Sequence, residues 1–145
     1  MGNLIKCEKG FTLAEMLVAI TILAISLLAV AGMQITAIGT NSDSNTLTAA
    51  TALTEGIMEE ILAWDVDTPV LNSSSSGNLW DFFPETAGVQ STRTFGTAGT
   101  YSATYSVVAN ANGVTNLTQI TVVVTGIDSG NSNRSITLVG FKRLV

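Results

Sequence analysis

Residues 9–15 read Lys-Gly-Phe-Thr-Leu-Ala-Glu, a lysine-glycine step into an apolar run that carries one carboxylate, Glu15. From Phe11 to Ile38 the chain is almost wholly apolar, with mild polar interruptions at Thr12, Thr21, Ser26, Gln34 and Thr36. The run exceeds the roughly 18–20 residues that a helix needs to cross the hydrocarbon core of a bilayer. Lys6 and Lys9 precede it, and Asp43 is the next charge after it. The positive-inside bias therefore predicts a cytoplasmic N-terminus, with the rest of the chain sent outward.

Three readings of this segment compete. In the first it is a secretory signal peptide, with Ala29-Val30-Ala31 as the cleavage site before Gly32. In the second it is a plain membrane anchor. In the third the lysine-glycine step is itself the processing site, and everything from Phe11 onward is retained. Glu15 separates them. A charge in a lipid-facing helix costs about 2.5–3.5 kcal/mol near the bilayer centre and less near an end, so its presence points to function. A signal peptide or an anchor gains nothing from it. A helix that leaves the membrane and pairs with a neighbour does.

Composition removes other classes. The 145 residues suit one modest domain, and the net charge of −5 offers no basic surface for nucleic acid. Histidine is absent, which removes most metal sites and general bases. The single cysteine, Cys7, cannot form an intramolecular disulfide. It is also a poor lipoprotein acceptor, because the apolar stretch follows it instead of preceding it. No paired-carboxylate motif stands out, so neither an enzyme nor a resident cofactor is expected.

The stretch Gly10-Phe11-Thr12-Leu13-Ala14-Glu15 resembles the class III signal of type IV prepilins and of type II secretion pseudopilins. The resemblance implies that a prepilin peptidase cuts between Gly10 and Phe11 and that Phe11 is then N-methylated. It also implies that Glu15, fifth residue of the product, neutralises the N-terminal amine of an adjacent subunit in a filament core. A buried charge is tolerated when it is paired, so the physics agrees. Leu27–Gln34 and Leu117–Val124 resemble PilV-type minor pilins and the I-type pseudopilin of type II secretion. Gly32 stands where many major pilins carry proline, and no cysteine remains after processing to close a C-terminal loop.

Beyond the apolar run, Ala50, Leu53, Ile57, Ile61 and Trp64 recur at helical spacing, with Glu55 and Glu59 off that stripe. One helix from about Phe11 to about Trp64 is expected, apolar on all sides in its first half and amphipathic in its second. The weak helix formers at 39–45 point to a kink or break, and Asp67-Thr68-Pro69 should stop the helix. Residues 65–99 read as irregular, with 72–77 as a flexible polar loop. Trp80, Phe82 and Phe83 read as anchors pinning that loop to the core, ahead of a recognition patch.

Three strand signals follow: Tyr101–Ala109, Leu117–Thr125 and Ser135–Lys142. Asn112-Gly113 and residues 128–133 are the turns between them. One carboxylate, Asp128, makes the second turn a poor calcium loop. The Asn-x-Ser/Thr matches at Asn72, Asn116 and Asn133 are attributed to chance in a chain so rich in these residues. Lys142-Arg143 reads as a solvated end.

The expected architecture is α+β and pilin-like, a long N-terminal helix on an antiparallel sheet of about three strands. Residues 1–10 form a leader, 11–41 the membrane and assembly half of the helix, and 42–145 the head. The resemblance implies a structural minor pilin of a bacterial type IV pilus, with a type II secretion pseudopilin as the alternative. A soluble binding protein released after Ala31 is the rival from another class. The implied partners are prepilin peptidase, other pilin subunits through the N-terminal helix, and inner-membrane lipid before assembly. The implied location is a single pass in the inner membrane, then a pilus or pseudopilus in the cell envelope.

Overall fold

The computed structural model describes residues 10–95, 99–127 and 133–145. They form one α-helix, α1 (Leu13–Ala63), two short 3-10 turns and five strands. The strands are β1 (Ser75–Leu79), β2 (Thr92–Phe95), β3 (Gly99–Val108), β4 (Leu117–Ile127) and β5 (Asn133–Arg143). The chain divides into two units at Thr40/Asn41.

The first unit is the N-terminal part of α1. No described residue of it is buried or even half-buried. Its hydroxyls are satisfied within the helix: Thr21 Oγ1 donates to Leu17 O at 2.8 Å, Ser26 Oγ to Ile22 O at 2.8 Å, and Thr36 Oγ1 to Gly32 O at 3.2 Å. Those polar residues present no unmet donor to an apolar surrounding.

Residues 39–45 are helical, which corrects the expected break. Serine and threonine disfavour helices by competing for backbone partners. Here the competition is turned inward. Thr40, Thr46 and Thr48 donate to the carbonyls of Thr36, Ser42 and Ser44, one turn back, at 3.0, 3.2 and 2.8 Å.

In the second unit the C-terminal part of α1 packs on one face of the sheet. The expected stripe is in place, with Ala50, Ile57 and Ile61 buried and Leu53 and Trp64 half-buried. Thr46, Thr54 and Met58 widen it. Ala103 and Tyr101 from β3 and Ile120, Val122 and Val124 from β4 meet it, with Ile136 and Leu138 of β5 at its margin. Tyr101 Oη donates to Thr46 O at 3.1 Å, and Arg134 pairs with Asp43 at 2.6 Å.

The sheet runs β1-β3-β4-β5, with β2 also on β3, and every pairing is antiparallel. The meander β3-β4-β5 is the one read from the sequence. β1 and β2 correct the irregular reading of 65–99. Serine-rich residues 72–77 have little strand propensity, so partners from elsewhere make the strand. Gly77 N–H donates to Ser106 Oγ and Ala109 N–H to Ser74 Oγ, both at 3.1 Å. A register shift between Ser75 and Asn78 takes up the misfit, with Gly77 at φ 66°. The turn at Asn112 holds, with left-handed backbone at Asn110, Asn112 and Asn116. The expected turn and the calcium-loop question at 128–132 lie outside the described residues, and Asn133 opens β5.

Two of the three aromatics read as loop anchors reach the core, at the start of the loop between β1 and β2. Trp80 is buried and stacks on Trp64 with centroids 6.2 Å apart, and both meet Tyr105 edge-on. Phe82 packs on the core. Phe83 does not: it is exposed, with the Arg93 guanidinium 5.5 Å over its ring and 4.6 Å over that of Phe95.

Lys142 corrects the solvated-end reading. Its Nζ donates to Leu62 O at 2.8 Å and also to Trp64 O, so a cation from the last strand closes the carbonyl end of α1.

Two glycines approach side chains closely. A Cβ on Gly126 would lie 2.6 Å from the ring of Tyr101, and one on Gly140 would lie 2.7 Å from Met58 Sδ. Tyr101 is fully buried and tethered by its hydroxyl, whereas the Met58 thioether can change rotamer. Gly126→Ala is therefore expected to cost about 2 kcal/mol by overpacking and Gly140→Ala under about 1 kcal/mol. Urea unfolding followed by tryptophan fluorescence measures both. Equal costs would show that the tyrosine ring is not confined.

Candidate processing and assembly site

α1 begins with a reciprocal cap. Glu15 Oε2 accepts from Thr12 N–H at 2.8 Å and from Thr12 Oγ1 at 2.9 Å, while Glu15 N–H donates to Thr12 Oγ1 at 3.3 Å. Met16 N–H to Thr12 O, at 3.2 Å, is the first turn of the helix. This is a capping box, with threonine before the first helical residue and glutamate three positions on. It places the carboxylate where the helix dipole favours negative charge.

Gly10 and Phe11 precede the cap in non-helical backbone, and both are exposed. A Cβ added to Gly10 would meet no atom within 4 Å, so the fold itself does not require glycine there. Phe11 is 86% exposed and Leu13 79%. Past the cap, apolar side chains project on every side of the helix. Leu17, Val18, Ile20, Ile22, Leu23 and Ile25 are between 57% and 68% exposed. A protein surface in water rarely carries so large an apolar patch unless something covers it. By length and composition α1 suffices to cross a membrane.

The three residues singled out from the sequence, Gly10, Phe11 and Glu15, thus sit together at the start of one apolar helix. In the sequence Thr12 stands out only as a mild interruption of the apolar run. Its signal was nevertheless present, in the Thr-x-x-Glu spacing that marks a capping box. Lys6, Cys7 and Lys9 lie outside the described residues.

An apolar helix that opens on a capped glutamate and is long enough to cross a membrane, in a chain that also holds a small α+β unit, fits insertion into a membrane. Residues 5–31 match the family model described as the prokaryotic N-terminal methylation motif, and the chain thereby carries the signature of type IV prepilin-like proteins. No curated protein matches the chain. No solved structure matches it either.

Proposed function

We propose that this chain is the precursor of a structural subunit, a minor pilin, of a bacterial type IV pilus. Prepilin peptidase cuts it between Gly10 and Phe11, Phe11 is N-methylated, and the product enters a filament through α1. Before assembly the protein spans the inner membrane once, with its N-terminus in the cytoplasm. The observation that carries this reading is the exposed apolar first half of α1, which contributes nothing to the core of the second unit. Every buried residue of α1 lies between Thr46 and Ile61. The apolar turns before them need lipid first and neighbouring helices later. The minor-pilin assignment draws support from the lack of any cysteine after Cys7, which leaves no disulfide-closed loop in the head.

Intact-mass analysis of envelope protein tests the processing step. The mature chain is expected to begin with methylated Phe11. Gly10→Val, for which the fold leaves room, is expected to accumulate as uncut precursor with an unchanged head. A product beginning at Gly32 would instead mark a secreted protein released by signal peptidase. Deleting the chain is expected to alter surface pili while secretion continues. Lost secretion with normal pili would move the subunit to a type II secretion pseudopilus.

A further inference from the structure

The two edges of the sheet differ in a way that neither processing nor helix assembly uses. On one side, β1 and β2 are strands of five and four residues, interrupted by a register shift. Such an edge is blunted against further pairing. On the other side, β5 pairs with β4 through an unbroken register of eleven residues, and no described strand lies beyond it. Ser135–Phe141 holds neither charge nor proline. Charges stand only at the two ends of the strand, so its centre carries none of the usual protective devices.

The backbone groups displayed there can be named. Leu144 N–H donates to Asn116 O at 2.8 Å. Continuing the register from Leu117 and Arg143 sets those two residues opposite each other. Antiparallel ladders alternate bonded and non-bonded pairs, so even-numbered residues of β5 turn their N–H and C=O to β4. Ser135, Thr137, Val139 and Phe141 turn theirs to the open side. All four are exposed.

Charge narrows the occupant. Of the chain's six basic residues, Arg134, Lys142 and Arg143 are on β5, which carries no carboxylate. Arg134 is paired with Asp43, and Lys142 caps α1. Arg143 is exposed and makes no ion pair among the described residues. A second copy fits badly, because antiparallel pairing of two β5 strands about Leu138 sets Arg134 of each against Lys142 of the other. Like charges directly opposite are destabilising.

We propose that the open edge of β5 receives an extended segment of another protein as an added strand. That segment has a neutral, β-branched centre and carboxylates at the end beside Arg143. Main-chain bonds to Ser135, Thr137, Val139 and Phe141 supply affinity, and Arg143 sets polarity. The inference uses only the head and holds whichever filament the chain joins.

The test uses the full chain in detergent micelles and the peptide Thr-Val-Thr-Val-Thr-Val-Glu-Asp. In the free protein, the amides of Thr137, Val139 and Phe141 are expected to exchange at least ~100-fold faster than those of Ile136, Leu138 and Gly140. The peptide should slow the first set and leave the second unchanged. Val139→Pro removes an outward N–H without touching the β4 ladder, a substitution that edge positions tolerate. It should weaken the peptide by about tenfold or more. Arg143→Glu, which leaves the backbone alone, should weaken it several-fold and favour a version ending in two lysines. Uniformly slow exchange without peptide, or affinity indifferent to Val139→Pro or to Arg143→Glu, would overturn the proposal. So would self-association that Val139→Pro abolishes, because it would give the edge to a second copy.

Discussion

Glu15→Leu is expected to leave membrane insertion and removal of residues 1–10 close to wild type and to cut filament incorporation by more than a hundredfold. Insertion should not suffer, because the change only makes the helix more apolar. Incorporation should suffer if Glu15 pairs with the amine of a neighbour's Phe11, since breaking a buried pair costs about 3–5 kcal/mol. The structure adds a competing term: Glu15 also caps α1 through Thr12. Loss of a cap costs about 0.5–2 kcal/mol.

Two further variants separate the terms. Glutamine can still accept from the Thr12 N–H, so Glu15→Gln keeps the cap and loses the charge. Thr12→Ala removes the hydroxyl and keeps the charge. If pairing dominates, Glu15→Gln behaves like Glu15→Leu and Thr12→Ala is mild. Among the described residues Glu15 Oε1 takes no hydrogen bond, so an incoming ammonium need not displace the cap. Immunoblots of sheared filaments and of membranes decide. Normal incorporation of Glu15→Gln would reduce the role of this glutamate to capping.

Ile61→Ala is expected to destabilise the head by about 3 kcal/mol, roughly 10–20 °C in Tm for a domain of this size. Ile61 is 0% exposed and lies one turn before Trp64, whose ring stacks on Trp80. The deleted methyl groups leave a cavity between helix and sheet, bounded by side chains that cannot all collapse into it. Thermal unfolding followed by tryptophan fluorescence measures the loss, and near-UV circular dichroism reports whether the stack survives. Leu62→Ala is the control. It is the next residue, about 100° round the helix and exposed, and should cost clearly less than Ile61→Ala. Comparable losses for the two would mean that α1 is not seated on the sheet by this face.

The sequence by itself determined the helix, its two characters and the meander. Periodicity and alternation are local properties, legible wherever one face of an element is buried. Thus Ala50, Ile57 and Ile61 announced the helix face, and Ile120, Val122 and Val124 the sheet face. Glu15 in an apolar run was likewise visible as a charge out of place. Tertiary structure alone decided the rest. β1 is a strand because Ser106 and the edge of β3 complete its backbone bonding, although its own serines do not favour one. Lys142 became the cap of a helix about eighty positions earlier because β5 returns beside the end of α1, a proximity that no local pattern encodes. Such contacts arise only once the chain has closed on itself, and partners distant in sequence then override local preference.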